Sequence, residues 1–303
     1  MVKVGILHSE VPIAGEIIRI LVNHPETELV SLYSPLLAGR NVSTVHHGLI
    51  GESTLIFTEK INLDQIDLLI LTQKSEVSDN IIDRLDNYPD LKIIAINDEF
   101  HPDLNKEPGL SEINRKHLVR GALTAYILSP VITPSMIALS PLANFLVLTS
   151  DIEIEVTLPE DLVDNSNINK LEEEIINLLK ERQKSFNGKV TLIINSNKEN
   201  NRQSFSKIRL KNSLPIEEIE KIYEQTYDDH NFTFISPVPV SPKEVEGTQK
   251  CIIYISKPDA DTLEIEVVTD ARMRGGAGDA VHILNLFFGL HEKTGLTFKV
   301  SQY

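Results

Sequence analysis

One thiol, nine imidazoles and two glycine-bearing turns carry whatever chemistry this 303-residue chain performs. The first turn reads Gly5-Ile-Leu-His8-Ser-Glu10-Val11-Pro12-Ile-Ala14-Gly15 and follows a short apolar run. It can be laid on G-x-x-G-x-x-A, the loop in which a dinucleotide's pyrophosphate rests on a helix N-terminus. His8 and Val11 stand where the two loop glycines belong. A β-branched residue resists positive φ, Pro12 removes an amide donor, and Glu10 opposes a diphosphate with like charge. Ordinary dinucleotide binding is therefore not expected at this loop. The second turn, Arg272-Met-Arg-Gly275-Gly276-Ala-Gly278, runs into an apolar helix through Asn285 to Gly289. Its amides would face a cofactor or phosphate, or else serve only the close packing of a helix start.

The remaining candidates read more plainly. Cys251, the only cysteine, lies in the alternating stretch KCIIYI and reads as a small packed residue rather than a nucleophile. His46 and His47 are adjacent, so they point to opposite faces of a strand or ~100° apart on a helix, and no metal site is expected. Ser34 and Arg40 follow the second apolar run, where an adenine ribose would lie. No acid stands at that strand end, which favours NADP over NAD. Arg202 sits in an asparagine-rich stretch, Asn195 to Asn201, that reads as an exposed loop around a solvated arginine.

Positioning these residues requires alternating elements. Apolar runs at Lys3–Leu7, Leu29–Tyr33, Leu68–Thr72 and Ile93–Ile96 read as buried strands. Helical spacing at Ile13, Ile17, Ile20 and Leu21, and again over Val77–Leu85, completes a βα alternation. The fold class is therefore α/β, with a Rossmann-like doubly wound parallel sheet. After Ser129–Thr133 a helix carries Met136, Leu139 and Leu142, and the pattern then changes. Ile152, Ile154, Val156 and Leu158 alternate with polar residues, as do Val190–Ile194, Ile208–Leu210, Ile252–Ile255 and Leu263–Val267. Amphipathic helices near 170–185 and 215–228 lie between them; Ser213 is placed to cap the latter and Pro215 to open it. This is a second, mixed α/β domain. The expected boundaries are 1–128, completed by 272–303, and 129–271. A formal charge of -15 repels nucleic acid and anionic membranes, and no run approaches the ~18 apolar residues of a membrane span. The N-terminus lacks a signal-peptide h-region, so a cytoplasmic protein is expected.

Several ordered motifs resemble one family. Leu21-Val-Asn-His-Pro-Glu26, Ala38-Gly39, Val45-His-His-Gly-Leu49, Gly109-Leu-Ser-Glu-Ile-Asn-Arg115, the closing helix from Gly275 and Thr294-Gly-Leu296 are similar to stretches of the N-acyl-γ-glutamyl-phosphate reductases of arginine biosynthesis. That resemblance implies a Rossmann domain with an α/β dimerisation domain of the glyceraldehyde-phosphate dehydrogenase type. It also implies NADPH-dependent reduction of an acyl phosphate through a cysteine thioester, with a histidine moving protons. The family cysteine in N-P-G-C-Y-P-T falls on Pro130, or by a one-residue slip on Ser129; the family histidine falls on Asn169. The family's G-S-T-G-A-G loop is replaced by Leu158-Pro-Glu-Asp-Leu-Val163. Arg202 keeps the place of a substrate arginine. Gly15, Ser34, Gly276, Gly278 and Asn285 are the candidate cofactor contacts, with NADP opposed by His8, Glu10 and Val11. The leading expectation is a catalytically impaired homo-oligomer, or a hetero-oligomeric partner or regulator of an active paralogue. The alternatives are a working reductase with displaced groups and a small-molecule sensor.

Overall fold

The computed structural model describes residues 1–96, 107–199 and 201–300. The chain divides into two units, Met1–Leu128 with Gly276–Thr297, and Ser129–Gly275 with the chain from Phe298.

In the first unit β1 (Val2–Leu7), α1 (Pro12–Leu21), β2 (Thr27–Tyr33), β3 (Leu68–Leu71), α2 (Glu76–Ile82) and β4 (Lys92–Ile96) alternate as the apolar runs require. β5 (Glu107–Pro108), α3 (Ser111–Val119) and β6 (Thr124–Ile127) follow. The six strands form one parallel sheet in the order β2-β1-β3-β4-β6-β5. Its direction of winding reverses between β1 and β3, the switch point at which such sheets open a crevice beyond their carboxyl ends. Strands covered on both faces need apolar residues at successive positions, and Leu68, Leu69, Ile70 and Leu71 are all fully buried. The last helix of the chain, here numbered α7 (Ala277–Phe287), returns to this unit and packs on α1, α3, β4 and β6. All of its residues are buried, which explains why it is mostly apolar, its polar Asp279, His282 and Asn285 lying at three-residue spacing. Lys92 on β4 reaches across to donate to the Phe287 carbonyl, and burial pushes its ammonium below the usual lysine value.

The second unit holds α4 (Ile132–Asn144), β7 (Ile152–Pro159), α5 (Ile168–Arg182), β8 (Val190–Asn197), β9 (Gln203–Lys211) and α6 (Ile216–Tyr227). β10 (Thr233–Ser236), β11 (Cys251–Ser256) and β12 (Thr262–Asp270) complete it. The mixed sheet runs β10-β11-β12-β9-β7-β8, with parallel pairs only at its two edges. Period-2 burial is regular: Ile152, Ile154, Val156 and Leu158 point into the core while Glu153 is exposed. On the opposite face the register aligns Glu153, Arg209 and Glu264, and beside them Glu155, Lys207 and Glu266. Lys207 Nζ sits 3.0 Å from both Glu264 and Glu266. Phe234 and Ile193, on outer strands, remain nearly half exposed on that face.

Three local expectations need correcting. Asn195 and Asn197 are not loop residues: β8 extends through Asn197 because its partner β7 continues to Pro159, and Asn195 donates to Glu155 at 2.9 Å. Ser213 does not cap α6; Pro215 occupies the cap position with no side-chain bond, since its imide both starts the helix and lacks an orphan donor. β6 and β10, four residues each, are too short for a periodic signal and go unread in the sequence.

Candidate functional site

Two places carry the chemistry-bearing residues: the switch-point crevice of the first unit and the start of α4 in the second.

At the crevice, the turn after β1 adopts a conformation the sequence argues against. His8 lies at φ 53°, the left-handed region that glycine normally fills. Thr72 compensates by donating to the carbonyls of Leu7 and His8, at 2.5 and 3.1 Å, locking the turn against the end of β3. Val11, by contrast, is extended at φ -74°, so its β-branch meets no conformational penalty. The space a phosphate would use is lined by side chains. His8 Nε2 and Ser75 Oγ are hydrogen-bonded at 2.8 Å across the crevice mouth, and Ser75 also caps α2 by accepting from the Ser78 amide. His8 Nδ1 lies 3.6 Å from Glu10 Oε1, while Glu10 Oε2 is buried with no hydrogen-bond partner among the described residues. An anion entering here would meet that carboxylate first. Pro12 opens α1 without a side-chain cap, so amides remain at the helix start, but Glu10 stands beside them.

The sequence candidates around this crevice divide. Gly15 is held by packing: a Cβ there would lie on the His46 ring, whose Nε2 bonds the Ser9 carbonyl at 2.7 Å. Ser34 is buried and extended directly after β2, as a ribose contact would require. Arg40 is exposed nearby with no ion pair among the described residues. Asn285 is engaged inside the unit. Its Oδ1 accepts from His24 Nε2 at 3.0 Å, and its Nδ2 donates to the carbonyls of Glu292 and Thr294. Burial holds His24 below its ordinary value against the opposing effect of Asn285, so the imidazole is neutral and accepts from the Glu26 amide. Gly276 caps α7 in an extended conformation and Gly278 lies in its first turn, both buried.

In the second unit, α4 begins just after Ser129-Pro130. Ser129 Oγ accepts from the Ile132 amide at 3.3 Å, and the Ser129 carbonyl accepts from Thr133 at 2.9 Å. The Gly275 turn presses on this point: a Cβ at Gly275 would lie 2.5 Å from Pro130 N and 2.7 Å from the Ser129 carbonyl carbon. Asn169 is exposed on the first turn of α5 and forms no hydrogen bond with Ser129. Cys251 is fully buried on β11. His230, the only histidine of this unit, packs edge-on against Tyr227.

Arg202 is not a solvated loop residue. Its Nε lies 2.7 Å from Oδ2 of fully buried Asp270. The same carboxylate accepts from the amides of Gly247, Arg272 and Met273, which fixes the turn leading to Gly275. Arg272 in turn clamps Asp161 with both oxygens within 3.0 Å, and Asp161 belongs to the acidic stretch after β7. No periodicity reveals Asp270 as this hub, because its partners lie up to 68 residues away. Among the described residues no group of His, Cys, Asp and Glu is arranged to hold a metal ion, and no helix is long and apolar enough to cross a membrane.

Comparison with known proteins decides what this arrangement descends from. The family "Semialdehyde dehydrogenase, NAD binding domain" matches residues 3–120. N-acetyl-gamma-glutamyl-phosphate reductases of Parabacteroides distasonis and Bacteroides thetaiotaomicron are each 32% identical over 328 aligned residues, covering 100% of both chains. That of Azobacteroides pseudotrichonymphae is 33% identical with the same full coverage. The chain belongs to the N-acetyl-gamma-glutamyl-phosphate reductase family. Solved aspartate semialdehyde dehydrogenases share the fold: the Vibrio cholerae enzyme II superposes with TM-score 0.69 at 13% identity, over 95% of this chain and 98% of its own. The Candida albicans enzyme with NADP gives 0.70 at 13% identity, over 95% and 99%.

Proposed function

We propose that this member of the reductase family performs no acyl-phosphate reduction and serves as an oligomeric partner, of itself or of an active reductase in the same cell. The observation that carries the reading is the start of α4. Pro130 has no nucleophile, and the Ser129 hydroxyl is hydrogen-bonded into the helix cap with no histidine bonded to it. An unassisted serine has a pKa far above 7, and its ester accepts hydride less readily than a thioester. The one thiol is buried in a strand. The crevice supports the same conclusion. Its His8–Ser75 bridge and the buried Glu10 oxygen replace the open glycine loop that NADPH requires. What the chain keeps is framework: the α7 closing helix, the buried sheet and the charged face of the second sheet, whose Glu–Arg–Glu and Glu–Lys–Glu rows offer a surface for pairing.

The deciding experiment incubates the purified protein with N-acetyl-γ-glutamyl phosphate and NADPH while absorbance at the nicotinamide band is followed. The rate is expected to match the enzyme-free blank. Turnover above that blank, abolished by Ser129→Ala, would establish a displaced nucleophile and overturn the reading. Native mass spectrometry of the protein co-expressed with an active reductase is expected to show oligomers; strictly monomeric protein under all conditions would remove the partner role.

A further inference from the structure

The first unit has a second concavity, at the end of the strands opposite the switch-point crevice. A cavity of about 860 Å³ opens at the amino ends of β4 and β6. Its size lies in the range of small-molecule sites, about 300–1,000 Å³. The floor is the hydrophobic core itself, where Leu91 and Ile93 surface beside Tyr88. Leu123, 45% exposed, forms an apolar wall.

The rim is basic in a chain whose net charge is -15. Lys116 and Arg120 both line the cavity, and neither forms an ion pair with any described residue. They are not needed to close α3. The backbone amides of Arg120 and Ala122 already satisfy the carbonyls of Lys116 and His117 that end that helix. Two acids also face the cavity. Glu107 accepts from Asn114 at 2.8 Å and lies 3.8 Å from His117, so its charge is partly met; Asp86 is exposed on the facing lip. Two cations with no ion-pair partner among the described residues, above an apolar, aromatic floor, match one kind of ligand.

We propose that this cavity binds an amphipathic organic anion, a carboxylate, phosphate or sulfonate carried on a hydrocarbon or aromatic body. The apolar part lies on Tyr88, Leu91 and Leu123 and the anionic group meets Lys116 and Arg120. The site stands apart from the crevice, so it holds or falls independently of whether the chain reduces acyl phosphates.

The test uses the full chain and 8-anilinonaphthalene-1-sulfonate as a fluorescent probe, with phenyl phosphate, inorganic phosphate and benzylamine as competitors. Saturable binding with one site per chain is expected, displaced by phenyl phosphate but not by inorganic phosphate or benzylamine. The double variant Lys116→Gln/Arg120→Gln weakens binding about tenfold, since each half-exposed contact contributes modestly. Leu123→Glu, which puts an acid on the apolar wall, weakens it independently. All three positions are exposed, so unchanged thermal unfolding shows that the variants fold; if the double variant does not, Leu123→Glu alone decides. Absence of saturable binding, indifference to the variants, or equal displacement by inorganic phosphate overturns the proposal.

Discussion

Replacing Gly275 by alanine tests a close backbone approach in the second unit. Two costs are separable there. Gly275 has φ +77°, and an L-residue held in the left-handed region loses roughly 1–2 kcal/mol. The added Cβ would also lie 2.5, 2.6 and 2.7 Å from backbone atoms of Pro130 and Ser129. Those backbone atoms lead directly into α4, a helix buried from Ile132 through Ala143, and cannot rotate aside, so overpacking adds roughly 1–3 kcal/mol. The control is Gly247, with nearly the same φ of +74° and nothing within 4 Å of its virtual Cβ. Gly247→Ala therefore carries only the conformational cost. At about 2–4 °C per kcal/mol for a body of this size, Gly275→Ala is expected to lower Tm by about 4–20 °C and Gly247→Ala by about 2–8 °C. Differential scanning calorimetry of the two variants beside the parent measures both. Equal shifts would refute the reasoning, because they would mean that Gly275 serves its dihedral angle alone and does not press on the start of α4.

Other consequences are equally open to measurement. His24 is neutral when folded because burial depresses it below its ordinary 6.5. Its contribution is therefore complete above pH 6.5 and lost as pH falls through the lower folded value. Tm should fall as pH drops below 6.5, and His24→Gln should flatten that slope; an unchanged slope would assign the loss to other groups. Lys207 is raised by Glu266 first and Glu264 second. Lys207→Met leaves two acids side by side on β12, which should destabilise the fold by about 1 kcal/mol at low salt and less at high salt. A salt-independent loss in urea melts would point to packing instead. Cys251 is fully buried, so Ellman's reagent should find no reactive thiol in the native protein and one after guanidinium is added. Rapid native labelling would contradict that placement.

The fold was readable wherever periodicity had length to work with. Ile152–Leu158 alternates over a full strand, and the run Leu68–Leu71 is too apolar for anything but a strand covered on both faces. Reading failed where an element was short or where its reason lay far along the chain. Thr233–Ser236 is a four-residue edge strand whose Phe234 faces outward, so it carries no burial signal. Asn195–Asn197 became strand only because β7 offers partners beyond its apolar part. The site was half legible. That His and Val stand at positions 8 and 11 was visible, but not that His8 would take the left-handed conformation glycine normally fills, with Thr72 and Ser75 holding it there. Arg202 looked solvated because its partner, Asp270, is separated from it by 68 residues, with β9, α6, β10 and β11 between them. Arg274, a fully buried arginine, has no sequence signature that distinguishes it from the surface.

The return of the chain to its starting unit has a cost during synthesis. Because α7 supplies a buried, mostly apolar wall for α1, α3 and the middle of the parallel sheet, the first 128 residues emerge from the ribosome with that wall missing. They must wait, with Ile94, on the same face of β4 as Lys92, and the face of α1 that meets α7 unshielded, while the whole of the second unit is translated. A nascent chain of this design is most exposed to chaperones and proteases in its earliest-made part, and the final thirty or so codons decide whether that part survives.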